Sequence, residues 1–296
     1  MLDRQIDRQR SSLRGFSQSN LLIEHPWDRL PRHFVPRNDV KKKSFFSRFA
    51  FHKFAFTLAE VLIVLGIIGV VAEMTIPTLM NETGEKEKIV ALKKAFSTIS
   101  QAYTMSVNEN GTPDEWGLSN MADASQPGSK VIIDKLTPYL RVQKSCGVGS
   151  GCFAVGPYKR LKNTDSFDPN SNTETKILLA DGVSMTAWSG WTNCDGVFPG
   201  ASLAMQNVCG SVEVDINGFK RPNQDGVDYF VFWLTKYGIV PNGIASMPSS
   251  NGNSFDLSCA AADGSGHGCT AWAIYNENMD YLHCNNLSWS GPTKCN

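Results

Sequence analysis

The chain has 296 residues, 42% of them hydrophobic and 19% charged, enough apolar material for one sizeable globular domain with accessory segments. Its formal net charge is zero, yet residues 1–55 hold twelve Lys and Arg against five Asp and Glu, so the compensating negative charge lies in the rest of the chain. That acidic remainder argues against nonspecific binding to nucleic acid.

Residues 1–43, including "RQIDRQRSSLRGF" and "LPRHFVPRNDVKKK", have neither a helical nor a strand period and read as disordered or discarded. The next methionine after Met1 is Met74. The expected true start lies near Lys41, Lys42 and Lys43, and would need a non-AUG codon.

From Phe56 to Ile76 run 21 residues whose only charges are Glu60 and Glu73. At the rise of an α-helix they span about 31 Å, the thickness of a bilayer core. Lys41, Lys42, Lys43, Arg48 and Lys53 flank the N-terminal side, which places that side in the cytoplasm and the remainder outside. A buried core helix of this length and apolarity would be unusual. A cleaved secretory signal would need a small-x-small site, which "AEMTIPTLMNE" does not offer.

Past Pro77 and the polar "NETGEKEK", Ile89, Leu92, Phe96, Ile99, Tyr103 and Val107 recur at spacings of three and four. Residues 56–107 thus predict one long helix, transmembrane over 56–76 and amphipathic over 85–107. Pro77 lacks an amide hydrogen and crowds the carbonyl of Glu73, so a kink or local melting is expected there.

Residues 108–296 predict the globular head. "SKVIIDKLTPYLRV" (129–142) reads as a second helix through Ile132, Leu136 and Leu140, with Pro138 against it. "KILLADGVSMTAW" (176–188) reads as a hairpin around Asp181-Gly182. Strands are expected at 211–216 and 227–234, and "CTAWAIYNENMDYLHC" (269–284) reads as strand then helix, the helix over 274–282.

All eight cysteines, Cys146, Cys152, Cys194, Cys209, Cys259, Cys269, Cys284 and Cys295, lie beyond the apolar stretch, and none forms a C-x-x-C pair. Disulfides made in an oxidising compartment fit this usage better than zinc or a redox motif, and agree with the orientation of the helix. Eight cysteines allow about 105 pairings. Pairing each with its neighbour closes four short loops and is the expected pattern.

"VDINGFKRPNQDGVDYF" places Asp215, Asn217, Asn223, Asp225 and Asp228 in one turn-rich loop, a set of hard oxygen ligands that suits calcium. The bidentate Glu of an EF-hand is missing, and the same Asn-Gly, Pro-Asn and Asp-Gly pairs serve equally as turns. Enzyme motifs are absent. Only His267 and His283 lie beyond residue 55, outside any H-E-x-x-H arrangement, and there is no G-x-S-x-G elbow or P-loop. "GVGSGC" and "DGSGHGC" are accounted for as disulfide-closed loops. Trp188, Trp191, Trp272 and Trp289 lie in loop-rich sequence, but most are expected in the core.

"AFTLAEVLIVLGIIGVVAEMTIPTL" resembles the N-terminal segment of type IV pilins and of the pseudopilins of type II secretion. The matching positions are Phe56, Thr57, Leu58 and Glu60, with Gly69 and Pro77 where that family commonly has a glycine and a helix-kinking proline. The likeness covers about 25 residues. Ala55 stands where the family usually has glycine, and the leader is far longer than the family norm.

The resemblance implies that a prepilin peptidase cuts between Ala55 and Phe56 and N-methylates the Phe56 amine, and that Glu60 meets this amine on a neighbouring subunit. An unpaired carboxylate in an apolar phase costs a few kcal/mol, which pairing partly recovers while fixing register. Snorkelling to the interface, or a pair with Lys53, is the local alternative for Glu60. The implied fold is α+β: a long N-terminal transmembrane and spine helix packed on an antiparallel sheet in a disulfide-stapled head.

The implied function is polymerisation into a pilus or secretion pseudopilus. Its partners would be other pilin or pseudopilin subunits, the inner-membrane assembly platform and the lipid bilayer. Its places would be the inner membrane and then a periplasmic or cell-surface filament. A membrane-anchored binding module that never polymerises and an exported enzyme are the rival classes.

Overall fold

The computed structural model describes residues 57–119, 128–162, 164–260 and 264–295, with backbone alone for 76–82. Ala55 and Phe56 fall outside the described residues.

Helix α1 runs unbroken over Leu58–Asn110. Its backbone stays helical through Pro77, so the local melting expected there does not occur. One amide hydrogen bond is lost at a proline, and the ladder on both sides carries the helix across. Gly111 ends it, at φ +74° and with its N–H 3.0 Å from the Val107 carbonyl, a backbone shape that favours glycine.

The amphipathic half behaves as its period predicts. Ile89, Leu92, Ile99 and Tyr103 are buried, and Ala95 and Ala102 fill the spacings between them. They pack with Ile132, Ile133 and Leu136 of α2 (Gly128–Leu136) in one core. Each large side chain buried this way contributes about 1.5–3 kcal/mol. The second helix is shorter than expected, ending at Leu136 before a 3-10 turn over Thr137–Tyr139, because Pro138 has no N–H to continue it.

The sheet has six strands in the order of the chain, every neighbour antiparallel: β1 (Val142–Gly147), β2 (Lys176–Leu179), β3 (Ser184–Ser189), β4 (Val208–Asp215), β5 (Tyr229–Thr235) and β6 (Gly238–Pro241). The α+β architecture is thus as expected. The hairpin turns at Asp181-Gly182, with Gly182 at φ +89°. Strands β1 and β6 were not expected from the sequence; β1 is an edge strand with no buried residue and so no apolar alternation, and β6 is only four residues long.

Alternation along the strands sorts residues onto two faces. Ile177, Met185, Val212, Val214, Phe230 and Phe232 face the helices. Phe96 of α1 stacks on Phe232 with ring centroids 5.5 Å apart, and the Tyr103 hydroxyl donates to the carbonyls of Thr235 and Lys236 at 3.1 and 2.8 Å.

The opposite face is covered too, which is why every residue of β5 is buried. Phe153, Tyr158 and Phe167 from the β1–β2 connection pack on Leu178, Tyr229 and Val231. Phe198, Ala201 and Met205 from the β3–β4 connection pack on Val208 and Trp233.

Helix α3 spans Cys269–Tyr275, where a strand and then a later helix were expected; beyond it only a 3-10 turn forms, over Asp280–Leu282. The β-prone Thr, Trp, Ile and Tyr of this segment are overridden by packing, Trp272 lying flat on Phe255 with centroids 4.0 Å apart. Disulfides join Cys146 to Cys152, Cys194 to Cys209, Cys259 to Cys269 and Cys284 to Cys295, each cysteine with its neighbour in the chain. Loops this short are worth about 2–3 kcal/mol each in the chain-entropy account.

Candidate functional site

Among the described residues, the first half of α1 has no partner within the fold. Over Leu58–Thr75 it is long and apolar enough to cross a membrane, and none of that window is buried. Leu62, Ile63, Val64, Leu65, Ile67 and Ile68 are each more than half exposed. Contiguous apolar surface of this extent marks a surface meant to be covered.

At its N-terminus sits a reciprocal cap. The Glu60 amide donates to the Thr57 hydroxyl oxygen at 3.2 Å, and the Glu60 carboxylate accepts from the Thr57 N–H and hydroxyl, both at 2.9 Å. Two amide hydrogens that the first helical turn leaves without partners are thereby satisfied. Sequence reasoning passed over this role, although Thr57-Leu58-Ala59-Glu60 carries the spacing of a capping box. Pro77 lies on the same helix, in the stretch where only backbone is described.

The second candidate is the β4–β5 connection. It brings Asp215, Asn217, Asn223, Asp225 and Asp228 together, but turns their carboxylates onto protein donors. Asp215 accepts from the amides of Asn217 and Gly218, at 3.0 and 2.9 Å, and from the Tyr158 hydroxyl. Asp228 accepts from the amides of Gln224 and Asn223, at 2.6 and 2.9 Å, and from the Asn217 side-chain amide at 3.0 Å. Asp225 takes the Ser166 hydroxyl at 2.5 Å and His267 Nε2 at 2.9 Å on one oxygen.

Only Asp225 Oδ1, Asn217 Oδ1 and Asn223 Oδ1 are buried there without a partner. Among the described residues no three His, Cys, Asp or Glu side chains are placed to hold a metal ion. Asp215 and Asp228 do not fit calcium as they stand, because their carboxylates are already filled by N–H and O–H donors. Those three oxygens aside, the carboxylates of the loop are satisfied within the protein.

Burial first, and the neighbouring Asp228 charge after it, pushes the Asp215 carboxyl up to about 7, although the Tyr158 hydroxyl and two amides pull the other way. Burial also raises Asp228. For His267, burial lowers the imidazole but the Asp225 carboxylate outweighs it, so the net direction is up.

A third cluster lies on the same covered face of the sheet and gave no signal in the sequence. The Thr186 hydroxyl lies 3.4 Å from a Glu174 oxygen, and Glu213, opposite Thr186 on β4, accepts from Ser211 at 3.0 Å and from Tyr229. Burial and then the Glu213 charge raise Glu174 to about 8. Lys176 is wholly buried, its ammonium donating to the carbonyls of Val148, Gly149 and Ser171 at 2.9, 3.4 and 2.5 Å. Trp272 is in the core, while Trp188, Trp191 and Trp289 are half-buried, the first two in edge-to-face contact at 5.4 Å.

No family model matches the chain, and neither a curated protein nor a solved structure matches it.

Proposed function

We propose that the chain is a prepilin-like structural subunit, cut between Ala55 and Phe56 by a prepilin peptidase, N-methylated at Phe56, held in the inner membrane by the first half of α1, and then polymerised. The observation that carries this reading is the two-part character of α1. Its residues 58–75 have Glu60 and Glu73 as their only charges and are uncovered among the described residues, while the turns from Ile89 onward are clamped on the sheet. A bilayer can cover the first part before assembly, and the same part of neighbouring subunits can cover it afterwards.

The resemblance of "FTLAEVLIVLGIIGVV" to pilin and pseudopilin N-termini supplies the polymer. In that polymer Glu60 faces the amine of an adjacent Phe56, and an ion pair removed from water holds the register. The head, stapled by disulfides, faces the oxidising side of the membrane.

Shearing cells that express the chain with a prepilin peptidase and assembly platform tests this. The chain is expected in the sheared filament fraction, and Glu60→Ala is expected in the membrane fraction instead. A wild-type chain that remains wholly membrane-bound under assembly conditions would speak for a non-polymerising anchor.

A further inference from the structure

The head has two ends, and its contacts with α1 tell them apart. The first docked turns of the helix meet one end, where His283 Nε2 lies 2.7 Å from a Glu85 oxygen and the Lys88 charge acts on Asp228. Later turns meet the other end, where the Tyr103 hydroxyl reaches the carbonyls of Thr235 and Lys236. From Glu85 the helix runs back to Leu58, so the Asp228 end is the one turned toward a membrane that holds Leu58–Thr75.

That end carries the tip of the β4–β5 connection. Phe219, Lys220, Arg221 and Pro222 are exposed in succession, Phe219 by 56%, above a base that includes the buried Asp215, Ile216, Asn223 and Asp228. The base is braced. Amides of Asn217 and Gly218 hold Asp215, those of Asn223 and Gln224 hold Asp228, and a side chain at Gly218 would meet the Gly182 carbonyl at 2.4 Å.

A single exposed phenylalanine needs no explanation, but the charges beside this one give it a context. Arg160 lies next to the tip, its carbonyl accepting from the Gln224 side chain at 3.2 Å, and it too is exposed. Among the described residues no carboxylate pairs with Arg160, Lys220 or Arg221. Neighbouring carboxylates are taken: Glu85 by His283, Asp165 by Lys159 and Asp181 by Lys94. Glu87 is exposed between Lys86 and Lys88. This end is therefore basic, on a head that is acidic as a whole.

We propose that, before assembly, the Phe219-Lys220-Arg221 tip rests on the bilayer that holds α1, with the Phe219 ring in the interface and Lys220, Arg221 and Arg160 on anionic phospholipid headgroups, so that the head leans on the membrane. The inference rests on the proposed seating of α1 in a bilayer and not on polymerisation.

Chemistry and dimensions both fit this surface. Basic side chains around an aromatic ring are the composition of segments that lie in a bilayer interface, the ring at the acyl boundary and the cations at the phosphates. From Thr75 to Lys88 the helix rises about 20 Å, of which headgroups fill about 5–8 Å. A tilt of about 20°, ordinary for a spanning helix, lowers the side of the head that carries the tip across much of the remainder.

Photo-crosslinking of the full chain reads the contact. Phe219 is replaced by p-benzoylphenylalanine, and the chain is reconstituted into vesicles of phosphatidylcholine alone or with about one third of the anionic phosphatidylglycerol. After irradiation, mass spectrometry reads the adducts. Tyr237 replaced in the same way is the control, an aromatic 59% exposed at the far end of the head, next to Lys236.

Lipid adducts are expected from position 219 and not from position 237. Phosphatidylglycerol is expected to raise them at least about fivefold, the weight of one basic side chain near an anionic surface. Lys220→Gln combined with Arg221→Gln is expected to remove that rise; both side chains are exposed, so the fold of the head does not depend on them.

Flotation of the chain with the vesicles reports the seating of α1 separately. A chain that does not float would overturn the membrane reading and this inference together. A floating chain with equal adducts at the two positions, with adducts indifferent to phosphatidylglycerol, or with a second copy of the chain crosslinked at position 219 in place of lipid would overturn the tip contact alone.

Discussion

The Glu60 carboxylate accepts hydrogen bonds from both the N–H and the hydroxyl of Thr57, each at 2.9 Å. The acid proposed to meet a neighbouring subunit's amine is therefore held first by the N-terminus of its own helix. This gives the isolated subunit a way to satisfy a carboxylate at the edge of an apolar run. In the proposed polymer that cap is exchanged for an ion pair.

Two substitutions separate the roles. Glu60→Gln keeps a side-chain acceptor for the cap but removes the charge, so peptidase processing is expected to continue while the chain leaves the sheared filament fraction. Thr57→Ala removes the hydroxyl and is expected to destabilise the first turn by about 1 kcal/mol, with the head unaffected. Amide exchange at the start of α1 in micelles, beside the thermal melt of the head, checks the second; equal loss in both regions would contradict it.

The packed half of α1 allows a sharper comparison. Leu92 is fully buried against the sheet, whereas Val90, two residues earlier, is 67% exposed. Leu92→Ala is expected to cost about 2–5 kcal/mol of head stability, and Val90→Ala within about 0.5 kcal/mol. Denaturant melts of the two variants decide this, and similar losses would mean that the helix is not docked as described.

Stability of the head should fall as the pH rises. Burial holds the Asp215 carboxyl up at about 7 and the Glu174 carboxyl up at about 8, so the native chain keeps protons that the unfolded chain has released. The stabilisation from these groups is complete below about pH 4 and is lost as pH climbs through 7 and 8. For Asp215 alone the span is about 2–4 kcal/mol. Melting curves from pH 5 to pH 8.5 should show a falling midpoint, with a shallower slope in Asp215→Asn; a midpoint that rises over this range would contradict the assignment.

Calcium should leave the melting temperature of the head unchanged at millimolar concentration, because Asp215 and Asp228 already have N–H or O–H donors on both oxygens. A rise in melting temperature that disappears in Asp215→Ala and Asp228→Ala would show that the loop rearranges to bind the ion.

How much of this was legible in the sequence varies with the kind of interaction. The amphipathic half of α1 could be read because Ile89, Leu92, Ile99 and Tyr103 repeat at helical spacing, and the hairpin because Asp181-Gly182 supplies a turn that favours glycine. Strand β1 could not, since an edge strand with mostly exposed side chains has no apolar alternation. Glu174 and Glu213 were invisible for another reason. Their environment is made by a covering loop from a distant part of the chain, and no local pattern announces which face of a strand will be covered. The five oxygen-bearing residues of the β4–β5 loop were found as a group, but whether they face an ion or one another's amides depends on backbone geometry that composition does not encode.

The central claim is that the chain is a processed, assembling subunit, and mass spectrometry of the mature N-terminus in cells with an active prepilin peptidase tests it most directly. The account predicts an N-terminal peptide beginning at N-methylated Phe56. A peptide reading across Ala55-Phe56 in the mature protein would contradict it.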